Sequence, residues 1–236
     1  MKMSDNTILI TGGATGIGFS MAKYFHERGN TVIICGRRGD RLAQASEELQ
    51  GIHTIKCDVA DPDDRNRLFQ YIRDNFPEIN ILINNAGIQH DIDLTKGASD
   101  MDNGINEIRI NLEAPIYLSA LFTPLLSGKD NAAIVNVSSG LAFMAEHAVA
   151  AGMPVYCATK AGLHTFTIAQ RRQLAPLNIR VIEIIPPMVE SKLNIEGRKK
   201  RNMLKSPHMI SPDEFVEKAL AKMEQGIDEI RLDAVS

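Results

Sequence analysis

Six short runs of near-continuous apolar residues punctuate the chain: "TILIT", "TVIICG", "HTIKCDV", "INILINNAG", "AAIVNVSS" and "IRVIEIIPP". Unbroken, often β-branched runs of this kind belong to strands covered on both faces, whereas half-exposed strands alternate apolar with polar. Between them lie amphipathic stretches of helical length. "MAKYFHERG" closes at Gly29 in the manner of a C-cap, since glycine readily takes the left-handed backbone that ends a helix. "ADPDDRNRLFQYI" opens with Asp61 as N-cap and Pro62 at the first helical position, where its missing N–H costs nothing. "SPDEFVEKALAKMEQG" opens with Ser211 and Pro212 and closes at Gly226, ahead of a last short run, "DEIRL". Strand, helix, strand in regular alternation predicts an α/β fold: a doubly wound parallel sheet of about seven strands in a single domain.

Length and charge narrow the function classes. The chain has 236 residues, 44% hydrophobic and 23% charged, enough for one domain with a full core. A net charge of −3 disfavours a nucleic-acid binder, which would be strongly basic. "MKMSDNTILI" is no secretory leader, and "LEAPIYLSALFTPLL" carries Glu113, Pro115 and Pro124, so it reads as a core helix and not a membrane span. Cys35, Cys57 and Cys157 stand far apart, with neither metal-ligand nor disulfide spacing. Buried thiols in a reducing cytoplasm, with no metal site, are expected. Met188 to His208 breaks the rhythm after the sixth strand; at the carboxyl edge of an open sheet, a segment at about 188–210 is placed to act as a substrate-side lid.

Chemistry concentrates in two places. Gly12, Gly16 and Gly18 of "TGGATGIG" lie between the first strand and the first helix, where glycines let a pyrophosphate approach a helix N-terminus. The spacing departs from the strict G-x-G-x-x-G fingerprint, and a purely structural turn is the alternative. Tyr156 and Lys160 of "YCATK" are four residues apart, which stacks them on one helix face. A lysine ammonium beside a phenol favours phenolate and would draw a pKa near 10 toward neutrality; an ordinary helix surface is the alternative.

These features come in a telling order. "TGGATGIG", "NNAG" (Asn84 to Gly87), Asn111 in "RINLEAP", "NVSS" ending at Ser139, and "YCATK" together resemble the short-chain dehydrogenase/reductase (SDR) family over essentially the whole chain. "SSGLAF", "PVYCATKAGLH" and "IIPPMVES" are most similar to its bacterial DltE-type oxidoreductase subgroup. The resemblance implies a Rossmann-like fold and an NAD(P)-dependent oxidoreductase in which Tyr156 is general acid/base. Lys160 would also hold the nicotinamide ribose, Ser139 (with Ser138 the alternative) would orient the substrate oxygen, and Asn111 would complete the set. For the cofactor it implies Gly12, Thr15, Gly16, Ile17 and Gly18 at the pyrophosphate, Asp58 and Val59 at the adenine, and Asn85, Ala86 and Gly87 along the adenosine half. Pro186, Val189 and Ser191 would close on the nicotinamide, with Pro187 in place of the usual glycine. An Asx cap is the alternative for Asp58.

"VIICGRRGDRL" bears on the choice of cofactor. Gly36 stands where NAD-preferring members carry an acid, and Arg37 with Arg38 suits a 2′-phosphate. NADP(H) is favoured and NAD(H) is the alternative, since no basic residue lies between Gly13 and Gly16. Ser139 and Tyr156 are 17 residues apart, more than is usual in the family, and the extra loop is expected to reshape the substrate pocket. The lid carries Lys192, Arg198, Lys199, Lys200, Arg201 and Lys205 against Glu196; a solvated face and recruitment of an anionic substrate both explain this. His90 and His147 lie in loops near the expected pocket. A carbonyl/alcohol oxidoreductase is the leading reading, and a nucleotide-sensing or interaction protein on the same scaffold is the competitor. The family also implies a homodimer or homotetramer.

Overall fold

The structure is a computed structural model describing residues 1–144, 146–191, 193–200 and 209–232. Strands and helices alternate as β1 (Thr7–Thr11), α1 (Gly16–His26), β2 (Thr31–Gly36), α2 (Gly39–Glu48), β3 (His53–Lys56), α3 (Pro62–Asn75) and β4 (Ile81–Asn84). There follow α4 (Met101–Ile108), α5 (Ala114–Leu126), β5 (Ala133–Val137), α6 (Ala148–Ala151) and α7 (Pro154–Leu174). β6 (Arg180–Ile185), α8 (Ile195–Lys200), α9 (Pro212–Glu224) and β7 (Glu229–Arg231) complete the described elements. All seven strands are parallel, in the order β3-β2-β1-β4-β5-β6-β7. The order reverses between β1 and β4, and a crevice opens there beyond the carboxyl ends.

Period-2 geometry divides the apolar runs between two cores. Ile8 and Ile10 pack with Met21 and Phe25 of α1 and Phe215 and Leu220 of α9. Leu9, between them, faces Leu68 and Ile72 of α3 and Phe122 of α5. Phe25, Phe122 and Phe215 are fully buried, each contributing roughly 1.5–3 kcal/mol of transfer free energy. The caps follow the sequence pattern. Asp61 accepts from the backbone N–H groups of Asp63 and Asp64, and Ser211 from that of Glu214. α1 ends at His26, earlier than the glycine pattern suggests, and Gly29 takes its positive φ of 74° in the following turn.

One expectation needs correction, and one gains a detail: the cysteines are free and buried as expected. β3 is shorter than "HTIKCDV" and exposes His53, Thr54 and Lys56, because it lies at the sheet edge, where polar side chains discourage further pairing. Cys35 and Cys57, far apart in the chain, are neighbours. β2 pairs with β3, and the two buried thiols hydrogen-bond, which with burial pushes the Cys35 thiol well up. Beyond β6 and outside the named strands, Val189 bridges Ile210, with Glu190 N donating to Ile210 O at 2.9 Å and Ile210 N to Met188 O at 3.2 Å. No helix among the described residues is long and apolar enough to cross a membrane.

Candidate active site

The crevice is a cavity of about 1230 Å³. Its wall includes the glycine loop, Arg37, Arg38, Asp58, Val59, Asn85, Ala86 and Gly87, then Ser139, Tyr156, Lys160, Pro186, Val189 and Ser191. The loop is built to be thin. A Cβ on Gly18 would fall 2.4 Å from both Asn85 Nδ2 and Gly12 O, and Gly16 sits at φ +58°, a region other residues avoid. The open N-terminus of α1 therefore meets the cavity without a side chain in the way, which suits an anion.

At the other end of the cradle, Gly36 has no atom within 4 Å of where a Cβ would stand. Three arginines share the cavity wall with Gly36. Arg38 Nη2 lies 3.4 Å from Thr15 Oγ1, Arg37 Nη1 lies 3.8 Å from Asp58 Oδ2, and Arg41 donates to Gln44 Oε1 at 2.9 Å. Arg41 is on the cavity wall and was not anticipated, since it belongs to the first turn of α2 and not to the strand end. Asp58 faces the cavity and also makes the Asx turn, accepting from Ala60 N at 3.0 Å. Behind it the buried Arg65 donates to Val59 O at 2.7 Å and to Glu113 Oε1 at 2.8 Å.

Asn111 stands apart from the cavity wall. It lies in a π-helical turn, Arg109–Glu113, between α4 and α5, and is fully buried. Its amide grips Ile88 twice, accepting from N at 2.9 Å and donating to O at 2.8 Å. A Cβ on Gly87 would lie 3.5 Å from Asn111 Oδ1 and 3.7 Å from Lys160 Nζ, so all three groups converge.

Ser139 ends the turn after β5, accepts from Leu141 N at 3.2 Å and hydrogen-bonds the Tyr156 phenol. Ser138 is buried, its hydroxyl without a hydrogen-bond partner among the described residues, so Ser139 is the serine beside the tyrosine. Lys160 Nζ donates to Val137 O at 2.9 Å and lies 5.9 Å from the centre of the Tyr156 ring. The expected lowering of the phenol pKa is absent from the protein's own groups. Burial pushes Tyr156 up to about 12, against the hydrogen bond with Ser139, while Arg198 draws it down. Burial pushes Lys160 the other way, to about 8, with Glu183 opposing. Desolvation is the largest influence on both groups.

Two buried acid–histidine pairs flank this centre, and neither has a signature in the chain. Glu107 of α4 is fully buried and accepts from His90 N at 2.5 Å; burial pushes it from 4.5 to about 7. Glu183 of β6, also fully buried, lies 2.8 Å from Nδ1 of His164 on α7. The cavity wall also includes His147, Met153, Arg198 and Arg231. His90 pairs with Glu107 and is not on the wall, whereas His147 is. Of the basic residues expected in the lid, Arg198 reaches the carbonyls of Val189 and Ser191, and Lys199 pairs with Glu196 at 2.9 Å. Lys192, Arg201 and Lys205 lie outside the described residues.

A glycine-lined dinucleotide crevice with a serine, tyrosine and lysine at one end agrees with comparison to known proteins. The short chain dehydrogenase family profile matches residues 6–202, and the chain belongs to that family, whose members are oxidoreductases. More narrowly, it is 47% identical to the uncharacterised oxidoreductase DltE of Bacillus subtilis over 230 residues, covering 98% of this chain and 89% of that one. A short-chain dehydrogenase from Sphingobium yanoikuyae in complex with NADPH superposes with a TM-score of 0.83 at 27% identity, over 95% of this chain and 86% of that one. A short-chain dehydrogenase/reductase from Burkholderia phymatum in complex with NAD superposes at 0.85 over 98% of this chain and 89% of that one; at 15% identity this is a likeness of fold.

Proposed function

We propose that the protein is an NADP(H)-dependent oxidoreductase that interconverts a carbonyl and an alcohol, with Tyr156 as general acid/base. The observation that carries this is the convergence of Ser139, Tyr156 and Lys160 at one end of a cradle whose other end holds three arginines and no acid at Gly36. Bound NADP(H) would supply or accept the hydride. Ser139 and Tyr156 would both hydrogen-bond the substrate oxygen, and the phenol would give up its proton as the oxygen gains charge. A phenol raised to about 12 is protonated at neutral pH, which suits the acid role in reduction. Lys160 would hold the nicotinamide ribose, and Asn111 would keep the Ile88 backbone in place beside it.

Arg37, Arg38 and Arg41 would take the 2′-phosphate bidentately. Arg198, whose field already favours the ionised phenol, and Arg231 make a substrate with an anionic group the better fit. The segment at about 188–210 would be the substrate-side lid. Exposed Ile105 and Ile108 on α4 and Tyr117 on α5 support a homodimer or homotetramer, which would work in the cytoplasm.

The test is oxidation of NADPH and NADH over a panel of aldehydes and ketones that includes carboxylated and phosphorylated compounds. NADPH should be preferred, and Tyr156→Phe should lower kcat by roughly 10²–10⁴-fold with NADPH affinity retained. Turnover that survives in Tyr156→Phe refutes the acid/base assignment, and a preference for NADH refutes the arginine cluster.

A further inference from the structure

Tyr156, Lys160 and His164 occupy successive turns of α7, at the four-residue spacing that places side chains in one row. Facing that row is a polar layer contributed by the sheet. β5 and β6 are in register with Asn136 opposite Glu183 and Val137 opposite Ile184, so the side chains of Asn136 and Glu183 leave the same face. Asn136 shows which face this is, because its Nδ2 donates to Thr167 Oγ1 at 3.0 Å and Gln170 Oε1 at 2.9 Å, both on α7. Lys160 Nζ is bound to the carbonyl of Val137, one residue along. Glu183 is thus a carboxylate at 0% exposure in the layer beneath the ammonium. One of its oxygens is held by His164, and the other, Oε1, is buried with no hydrogen-bond partner among the described residues.

A buried ammonium is costly unless an opposite charge shares its environment. The groups around Lys160 show where that charge comes from. α7 itself contributes Tyr156 and His164, β5 the Val137 carbonyl and the uncharged Asn136, the turn after β5 Ser139, and the π-helical turn the amide of Asn111. Glu107 of α4 acts on Tyr156 and Cys157. The carboxylate whose field sustains the charged form of Lys160 is Glu183.

We propose that Glu183, oriented by His164, is the buried counter-ion of Lys160, a positioning residue that keeps the lysine charged and seated at the reacting end of the cavity. This rests on the assignment of Lys160 to the reaction centre, to which it adds a second tier. His164 fixes the carboxylate in place, holding one oxygen at 2.8 Å and leaving the other toward the polar layer.

The experiment titrates Lys160 directly in the full chain, from the ¹³Cε shift of labelled lysine, with the signal assigned by its loss in Lys160→Met. In Glu183→Gln, which keeps the shape and removes the charge, the Lys160 midpoint should fall by about one pH unit, and in Glu183→Asp by less. A midpoint in Glu183→Gln within about 0.3 of the wild type overturns the proposal. Should Glu183→Gln not fold, Glu183→Asp supplies the test: it keeps the charge but draws it back by one methylene, so a Lys160 midpoint that does not fall below the wild type overturns the proposal. The reading is made without substrate, so it stands apart from the Tyr156→Phe assay. Failure there removes the reaction, whereas failure here removes only the counter-ion.

Discussion

Glu107→Gln isolates one charge whose effect on stability has a definite sign and size. The carboxyl is fully buried, and burial raises it from 4.5 to about 7, partly offset by the His90 N–H. A carboxyl that holds its proton more tightly in the folded chain stabilises the fold while protonated. That stability is fully present below 4.5 and is lost as pH rises through about 7. At ~1.4 kcal/mol per pH unit, the loss amounts to at most about 3 kcal/mol, or roughly 6–12 °C in Tm for a chain of this size. The glutamine retains an acceptor for His90 N but cannot ionise. Urea unfolding of both proteins at one protein concentration, between about pH 5 and 8, should therefore show the variant gaining on the wild type by about 2–3 kcal/mol as pH rises. His90 itself is shifted down, chiefly by burial and then by Arg37. It acts with the opposite sign, and Glu107→Gln in a His90→Gln background separates its share from that of the carboxyl. A stability difference that stays constant over that range would refute the reasoning.

Two further outcomes follow from the cradle. Arg65→Leu should destabilise the chain by about 3 kcal/mol, because it strands the Val59 carbonyl and unpairs Glu113; it should also raise KM for the cofactor more than it lowers kcat, as urea melts and steady-state kinetics would show. Gly18→Ala places a methyl 2.4 Å from Asn85 Nδ2 and Gly12 O. NADPH binding by fluorescence titration should weaken by at least about 10-fold, since the glycine loop and the Asn85 segment would be forced apart.

Whatever depends on local spacing was readable in the chain. The caps at Asp61 and Ser211, the glycine turn, and the pairing of Tyr156 with Lys160 each involve residues within a few positions of one another. What depends on strand register was not. Glu183 meets His164 only because β6 lies against α7, and Cys35 meets Cys57 only because β2 pairs with β3. Nothing in the neighbourhood of either residue signals the partner. The electrostatics escaped for a related reason. The spacing of Tyr156 and Lys160 brings them together, but the desolvation that governs both comes from everything packed around them. Arg41 escaped because helix phase, and not chain order, turns it toward the space beside Gly36.

The bridge between Val189 and Ile210 has a consequence for how such a protein can diversify. The clasp is made by backbone groups alone, Glu190 N to Ile210 O and Ile210 N to Met188 O. Val189 and Ile210 are both buried, so their side chains can be exchanged for others of similar bulk without loosening it. Val189 also reaches the cavity wall; a change of side chain there would reshape the cavity from a backbone that stays where it is.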